Sequence, residues 1–583
     1  VWASLPASYQ QQILDKEITL YSIDAYGVAA RTGMGKRINT IMQTCFFAIS
    51  DILPSDQAIG SIKDAVEKTY GRKGRRITEL NFKAIDETLA CLHKIAGGGE
   101  VKAAVPQPSL TDRASEFVQQ VTAEIIAGRG DLIPVSQMPD DGSFPLGTAA
   151  YEKRNLALEI PVWETDICTQ CGKCPFVCPH SAIRSKVFHE SALLDAPTTF
   201  KSAPVKAKGY PEGYHIAYQV APEDCTGCTL CVDICPIRDK SNVSRKALNM
   251  APQSELRAPE RDNWDFFLGL PEFDRRELKT NTIAGSMVLQ PLFEFSGACV
   301  GCGETAYVKL ASQLFGDRMM VANATGCSSI YGGNLPTTPW TTTPDGRGPA
   351  WCNSLFEDNA EFGLGMRLAV DKQREMAREL LARLEGQLNG DLVRAILEAD
   401  ESDEVGIHEQ RERVSLLDIA LADIESADAR NLLSLSENLC RKSVWIVGGD
   451  GWAYDIGYGG VDHVLASGED VNLLVLDTEV YSNTGGQTSK ATPRGAVAKF
   501  SSGGKPTGKK DLALLAMDYE NVYVARVAYG GKDTQTLNAF LEAEAHRGPS
   551  LIIAFSPCIA HGVDMSNNHH QQDLAVKSGH WPL

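Results

Sequence analysis

Eight of the sixteen cysteines fall into two short runs of identical spacing. The first is Cys168, Cys171, Cys174 and Cys178, followed by Pro179. The second is Cys225, Cys228, Cys231 and Cys235, followed by Pro236. Each position of the second lies 57 residues after its counterpart, so the pair is an internal repeat. Three thiolates two residues apart can wrap three corners of a cubane iron–sulfur cluster, and the fourth reaches the other cluster. That rule assigns Cys168, Cys171, Cys174 and Cys235 to one [4Fe–4S] cluster. Cys225, Cys228, Cys231 and Cys178 hold the second. Structural zinc is the competing reading, but zinc sites pair a Cys-x2-Cys with a distant second pair. Between the runs lie Lys201, Lys206 and Lys208, with Arg184 and Lys186 before them. They form either a docking face for an acidic electron carrier or a solvated loop.

A second constellation starts after the apolar run Ser443 to Val447, with Gly448, Gly449, Asp450 and Gly451. The next apolar run ends in Asp477-Thr478-Glu479-Val480-Tyr481-Ser482-Asn483-Thr484. A carboxylate on Asp450, a hydroxyl on Thr478 and the backbone carbonyl of Val480 are hard oxygen ligands suited to Mg²⁺. Two diphosphate oxygens and a water would complete the octahedron. Gly449 and Gly451 let backbone N–H groups approach a diphosphate at a helix start. The pattern resembles the thiamin diphosphate signature, a Gly-Asp-Gly with asparagines about thirty residues on. Thr478 and Val480 stand where the commoner version has Asn, and Asn483 remains a polar contact to cofactor or substrate. A Gly-Asp-Gly that is only a turn is the alternative.

Cys299 and Cys302 lie in a Gly-rich stretch, and Cys327 follows in another. Three thiolates need a fourth, and Cys352, Cys440 and Cys558 are the candidates. Cys440 precedes a strand and so falls at the opposite sheet edge. Cys352 sits in a loop read over 347–353. Cys558 follows the run Ser550 to Phe555 and shares the carboxyl edge with Asp450 and Thr478, which favours it. Cys45, Cys91 and Cys440 read as buried, inert thiols. His561, His569 and His570 read as surface or core residues.

These residues need a scaffold, and the apolar runs predict it. Ser443 to Val447, Val471 to Leu476 and Ser550 to Phe555 are short, continuous and bounded by turn residues. That is the pattern of parallel strands buried on both faces. A charged helical stretch over 366–442 interrupts this region. At the other end, a strand over 18–23 and a helix over 36–52 predict an α/β segment. Gly97 to Gly99 and Pro106 to Pro108 mark its boundary. An amphipathic helix over 111–128 and a Gly/Pro-rich linker over 128–147 follow. The chain has 583 residues and a net charge of -18, which argues against nucleic acid as a partner. No apolar run is long enough to cross a membrane. No signal-peptide pattern opens the chain, so the cysteines point to metal in a reducing compartment. The chain starts at Val1 and not at methionine, and is expected to be a piece of something longer.

The stretches Gly448 to Gly460 and Asp477 to Lys490, with Cys299, Cys302, Cys327 and the two ferredoxin-type runs, closely resemble pyruvate:ferredoxin oxidoreductase, also called pyruvate synthase. The match is to the long single-chain type. The resemblance implies an α/β protein. It would have a parallel-sheet thiamin diphosphate-binding domain, a two-cluster ferredoxin-like domain and a partial N-terminal α/β domain. The implied boundaries are 1–110, a small linking domain over 111–155, the ferredoxin-like domain over 156–273, and 274–583. The family's proximal cluster ligands fall on Cys299, Cys302, Cys327 and Cys558, and its Mg²⁺ ligands on Asp450, Thr478 and Val480. Glu304, Asn483 and Thr484 fall at cofactor-contacting positions. The implied reaction is oxidative decarboxylation of pyruvate to acetyl-CoA and CO₂, with coenzyme A as co-substrate. Electrons would pass singly through three [4Fe–4S] clusters to ferredoxin or flavodoxin. Nothing here matches the family's two N-terminal domains, so the segment alone is expected to be inactive. A homodimer in the cytoplasm, or in an anaerobic organelle, completes the expectation. Another 2-oxo acid as substrate, or an electron-transfer subunit without catalysis, are the alternatives.

Overall fold

The computed structural model describes residues 2, 5–35, 37–71, 74–95, 101 and 114–583. Contacts divide the chain into two compact units, Val1–Arg113 and Ala114–Leu583. The predicted boundary at Gly97 to Gly99 and Pro106 to Pro108 lies outside the described residues.

The first unit is mostly helical. Ala7–Asp15, Ala25–Arg31, Asn39–Ser50, Ser55–Tyr70 and Arg75–Cys91 are helices. Strand β1 (Leu20–Ser22) pairs antiparallel with β2 (His93–Ile95). The helix over 39–50 buries Ile41, Thr44 and Cys45, spaced three and four apart, as an amphipathic helix requires. Cys91 is half-exposed, which departs from the buried thiol expected of it.

In the second unit the cysteine repeat becomes a structural repeat. β3 (Glu159–Trp163) and β4 (Ile183–His189) flank the first run. After the short β5 (Ala203–Pro204), β6 (Tyr214–Val220) and β7 (Leu248–Pro252) flank the second. β3 pairs antiparallel with β7, and β4 with β6. Each run carries a short helix, Lys173–Val177 or Leu230–Asp233. Backbone conformation repeats as well. Gln170 (φ 61°) corresponds to Gly227 (φ 65°), and Gly172 (φ 73°) to Thr229 (φ 67°). Left-handed backbone at a glutamine and a threonine is uncommon, and here it falls at equivalent places in the two loops.

The rest of the unit is one parallel six-stranded sheet. It adds β8 (Met319–Ala324), β9 (Ala350–Ser354), β10 (Ser443–Gly449), β11 (Asn472–Asp477), β12 (Tyr523–Val527) and β13 (Ser550–Phe555). Their spatial order is β12-β13-β11-β10-β8-β9. β11 and β13 are buried at every residue, as their predominantly apolar sequences require. The edge strands β9 and β12 are less buried, so they escape the same reading. β9 includes Cys352, which therefore lies on an exposed edge strand and not in a loop.

The charged stretch over 366–442 is four helices, Asn359–Arg383, Gly390–Leu397, Glu404–Ala422 and Ala427–Leu435, with a hydrophobic core of their own. Cys440 is buried in that core. The ferredoxin-like strands and the helix Thr305–Phe315 share one continuous core with the sheet. The region expected to be a linker forms short helical turns at Gly130–Leu132 and Val135–Gln137.

Candidate cofactor and electron-transfer site

Register brings the candidate residues to one edge. Gly449 lies opposite Leu476, and Asp477 opposite Phe555. Parallel strands start and stop together, so Asp450, Thr478 and Cys558 all emerge at the carboxyl edge. Cys327 opens the helix Cys327–Gly332 just after β8 at the same edge.

Thr478 is the centre of an oxygen cluster. Its backbone N–H donates to Asp450 Oδ1 at 3.0 Å. Its hydroxyl lies 3.2 Å from Asp450 Oδ2, 2.9 Å from the Val480 carbonyl and 2.7 Å from Ser482 Oγ. One hydroxyl proton serves only one of these oxygens. Asp450 is itself buried, and burial followed by the neighbouring Asp477 carboxylate drives its pKa well up. Crowded oxygens around a buried carboxylate are what a hard divalent cation relieves, so the donor set fits Mg²⁺. Lys509 offsets part of the charge, at 2.7 Å from Asp477 and 3.0 Å from Glu479.

Gly451 shows why no side chain is tolerated in this loop. A Cβ there would fall 2.1 Å from the Tyr481 ring. The turn beyond β11 is thereby packed against the Asp450 loop. Glu479 holds a left-handed φ of 65° in that turn. Asn483 and Thr484 are exposed, and the Thr484 hydroxyl donates to Gln487 Oε1 at 2.6 Å. Asn483 thus lies further along the turn than the oxygen cluster, with its side chain toward solvent. His561 is no bystander, because its ring nitrogen is 2.9 Å from the Thr478 carbonyl. Its place three residues after Cys558 is the only signal of this in the sequence.

All sixteen cysteines are free. The thiols act on one another in groups. Cys174 is pushed well up by burial, then by Cys168, Cys171 and Cys235. Cys228 is raised to about 11 by burial and by Cys178. Cys231 is raised by burial, then by Cys228, Cys225 and Cys178. Cys327 is raised by burial, then by Glu304, Cys302, Cys558 and Cys299. Three groups of four result, and Cys352 belongs to none of them. Among the described residues no three His, Cys, Asp or Glu side chains converge tightly enough for a single metal ion.

Backbone N–H groups point at thiols in all three groups. Gln170 donates to Cys168 Sγ at 3.3 Å and Gly227 to Cys225 Sγ at 3.5 Å. Glu304 donates to Cys302 Sγ and Ala560 to Cys558 Sγ, both at 3.4 Å. Such bonds favour a thiolate. Gly303 and Gly301 let the Cys302 loop press against the segment that carries Cys558. A Cβ at Gly303 would lie 2.4 Å from the Pro557 carbonyl, and one at Gly301 2.7 Å from that of Met565. Asn568 locks the same contact by donating to the Gly301 carbonyl at 3.1 Å.

Glu304 is buried beside this third group, and burial lifts its pKa to about 7. Its Oε2 has no hydrogen-bond partner. A buried, unpartnered carboxyl oxygen fits a bound group that supplies the missing contact.

The basic residues near the ferredoxin-like repeat do not form one face. Arg184 is buried against Glu294, and Lys186 is buried with its ammonium 2.9 Å from the Leu270 carbonyl and 2.6 Å from Glu272. They pack the repeat onto residues C-terminal to it. Lys201 and Lys206 donate to the carbonyls of Trp163 and Cys168.

No helix among the described residues is long and apolar enough to cross a membrane. Residues 2–91 match the family described as pyruvate ferredoxin/flavodoxin oxidoreductase, and 104–157 a domain of unknown function. Residues 167–238 match a 4Fe-4S double cluster binding domain, and 433–554 the C-terminal TPP binding domain of thiamine pyrophosphate enzymes. Along 100% of its length the chain is 57% identical to the pyruvate-flavodoxin oxidoreductase of Nostoc sp., of which it covers 50%. It is 49% identical to the probable pyruvate-flavodoxin oxidoreductase of Escherichia coli, covering 49% of it. It is 48% identical to the pyruvate:ferredoxin oxidoreductase of Moorella thermoacetica over 99% of this chain and 49% of that one. A solved 2-oxoglutarate:ferredoxin oxidoreductase from Magnetococcus marinus aligns at 15% identity and a TM-score of 0.26, over 46% of this chain and 65% of that one. The chain spans about half the length of the curated relatives it matches, and by sequence it belongs to the pyruvate ferredoxin/flavodoxin oxidoreductase family.

Proposed function

We propose that this chain is the half of a pyruvate:ferredoxin or flavodoxin oxidoreductase that holds thiamin diphosphate and three [4Fe–4S] clusters. The whole enzyme would convert pyruvate and coenzyme A to acetyl-CoA and CO₂. One observation carries the reading. A group of four thiols, Cys299, Cys302, Cys327 and Cys558, shares a sheet edge with the Asp450, Thr478 and Val480 oxygens. An electron acceptor next to a diphosphate-cofactor site is what a 2-oxo acid oxidoreductase without nicotinamide needs.

Thiamin diphosphate, when bound, supplies the electron sink for loss of CO₂, and the clusters supply one-electron transfer. The chain's own residues do the holding. Asp450, Thr478 and Val480 would ligate Mg²⁺, and His561 and Ser482 keep Thr478 oriented. Glu304, whose pKa burial lifts to about 7, would hydrogen-bond the bound cofactor through its unpartnered oxygen. Lys509 stabilises the buried Asp477 and Glu479 carboxylates behind the metal site.

The thiol groups also have an order. Tyr529 is raised by burial, then by Cys302 and by Cys228, so it stands between the third group and the Cys178 group. Cys231 of that group in turn feels Cys174. This order supports a path from the Cys302 group through the Cys178 group to the Cys174 group. Ferredoxin or flavodoxin would then be met beyond the ferredoxin-like repeat. Free thiols in such number suit the cytoplasm or an anaerobic organelle.

Anaerobic iron, sulfide and zinc analysis tests the assignment. Three clusters require about twelve irons per chain and no stoichiometric zinc. Eight irons would remove the cluster at Cys299, Cys302, Cys327 and Cys558.

A further inference from the structure

The helix Thr305–Phe315 begins three residues after Cys302 and carries Lys309 on its second turn. Lys309 is only 2% exposed. Its ammonium reaches out of the sheet domain into the ferredoxin-like module. It donates to the carbonyls of Pro175, Phe176 (2.7 Å) and Cys178 (3.2 Å). Those carbonyls end the short helix Lys173–Val177, which bears Cys174 and leads into Cys178. Cys174 and Cys178 belong to different thiol groups. A single buried cation therefore stands at the point where the two cluster sites meet.

The hydrogen bonds favour the charged form of that group. An ammonium has three N–H donors and no acceptor, and three carbonyls receive them. A neutral amine would turn its lone pair toward a carbonyl oxygen. Nothing conventional offsets the charge. Burial lowers the Lys309 pKa to about 8, the neighbouring Cys178 and Cys174 sulfurs act the other way, and Arg184 lowers it further. Closing a short helix needs only a glycine or an asparagine, at far less desolvation cost than a buried ammonium. A full charge here makes sense only against a larger opposite one, and a cubane bound by four thiolates supplies it.

We infer that Lys309 is an electrostatic positioning residue that raises the reduction potential of the clusters on either side of it. Reduction adds one electron and one negative charge to a cluster. Lys309 keeps its three protons throughout and moves none. The electron comes from the 2-oxo acid, so the inference rests on the function proposed above. A fixed cation favours the reduced, more negative state and so draws electrons away from the Cys302 group.

The test uses the complete enzyme, purified anaerobically, with EPR-monitored redox titration of Lys309→Met, Lys309→Gln and Lys309→Arg. Methionine removes charge and donors, glutamine removes charge but keeps a donor, and arginine keeps the charge. Both neutral variants should retain wild-type iron. At least one cluster of the ferredoxin-like module should shift down by about 59 mV or more, a tenfold change in its one-electron equilibrium. Lys309→Arg should lie nearer wild type. Unchanged potentials at full iron content would overturn the inference. So would a shift in Lys309→Met alone, which would make hydrogen bonding the cause, or loss of iron in both neutral variants, which would make Lys309 a structural cap. Wild-type enzyme without clusters would instead sink the functional reading itself.

Discussion

Gly451→Ala offers the sharpest trial of the cofactor loop. The new Cβ would sit 2.1 Å from Tyr481 Cε1, 2.8 Å from Cδ1 and 2.9 Å from Cζ. Carbon atoms settle at about 3.5 to 4.0 Å, so the loop and the ring must part by roughly 1.4 Å. Tyr481 follows Val480 directly, and the Val480 carbonyl is 2.9 Å from the Thr478 hydroxyl. Mg²⁺ demands near-ideal octahedral ligands at about 2.0 to 2.1 Å, and a carbonyl displaced by that much no longer ligates. Overpacking of this kind costs about 1 to 3 kcal/mol. Expressed wholly in the site, that is roughly a 5- to 150-fold loss of thiamin diphosphate affinity. Equilibrium binding of the cofactor at fixed Mg²⁺ measures it, with iron content as the check that the clusters remain. Gly459→Ala is the control, because a Cβ there meets nothing within 4 Å. Wild-type affinity in Gly451→Ala, or an equal loss in Gly459→Ala, would refute the packing argument.

Three further outcomes rest on the same geometry. Asp450→Ala should abolish retention of thiamin diphosphate on Mg²⁺ while the ferredoxin-like clusters stay visible by EPR; unchanged occupancy would mean the Gly-Asp-Gly is only a turn. Cys558→Ser should lower iron from about twelve to about eight per chain, whereas Cys352→Ser, on its exposed edge strand, should leave it unchanged; the reverse pattern would overturn the assignment. Asp317 is buried among Arg318 (3.0 Å), Arg411 (2.8 Å) and Arg275 (3.7 Å), and although burial pushes its pKa up, the arginines outweigh it and hold it low. Asp317→Asn should therefore cost about 3 to 5 kcal/mol in urea unfolding. The folded pKa is below the unfolded one, so this stability is present above about pH 4 and lost as pH falls further. A variant as stable as wild type at pH 7 would count against it.

How much of this was legible in the sequence depends on range. The cysteine runs declare their chemistry by local spacing, which needs no long-range contact to be read. β10, β11 and β13 are legible because both faces are buried, so apolar residues dominate them and their few polar ones, such as Asn472, are buried too. β8 is as apolar but is cut short by Asn323, whose amide donates to the carbonyl of Val447 on the neighbouring strand at 3.2 Å. The polar stretch near the end is a helix, Asn568–Lys577, with Asn568 and Gln572 fully buried as hydrogen-bonding struts. No single-residue property announces that use. Arg184 and Lys186 misled for the same reason, since a basic side chain at a module junction looks like one at a surface until its partner is known. Lys509 and Lys309 gave no signal at all, because each is defined by groups tens to hundreds of residues away.

The helix Thr305–Phe315 draws these strands together. Its first turn follows Cys302 and Glu304, at the third thiol group. Every one of its residues is buried, which is rare unless a helix is packed on all sides. Tyr307 donates to the Phe555 carbonyl at 2.9 Å and so ties it to the end of β13, just before Cys558. Lys309 ties it to the carbonyls around Cys178. Through Gly316, Asp317 and Arg318 it passes into the buried arginine cluster that anchors the helical insertion. Electron transfer between fixed centres depends on their separation staying fixed. A helix clamped to the sheet, to the repeat and to the insertion holds the third thiol group and the repeat in one rigid frame. Continuous packing here serves the same end as the shared core: the cofactor edge and the ferredoxin-like repeat cannot drift apart without opening it.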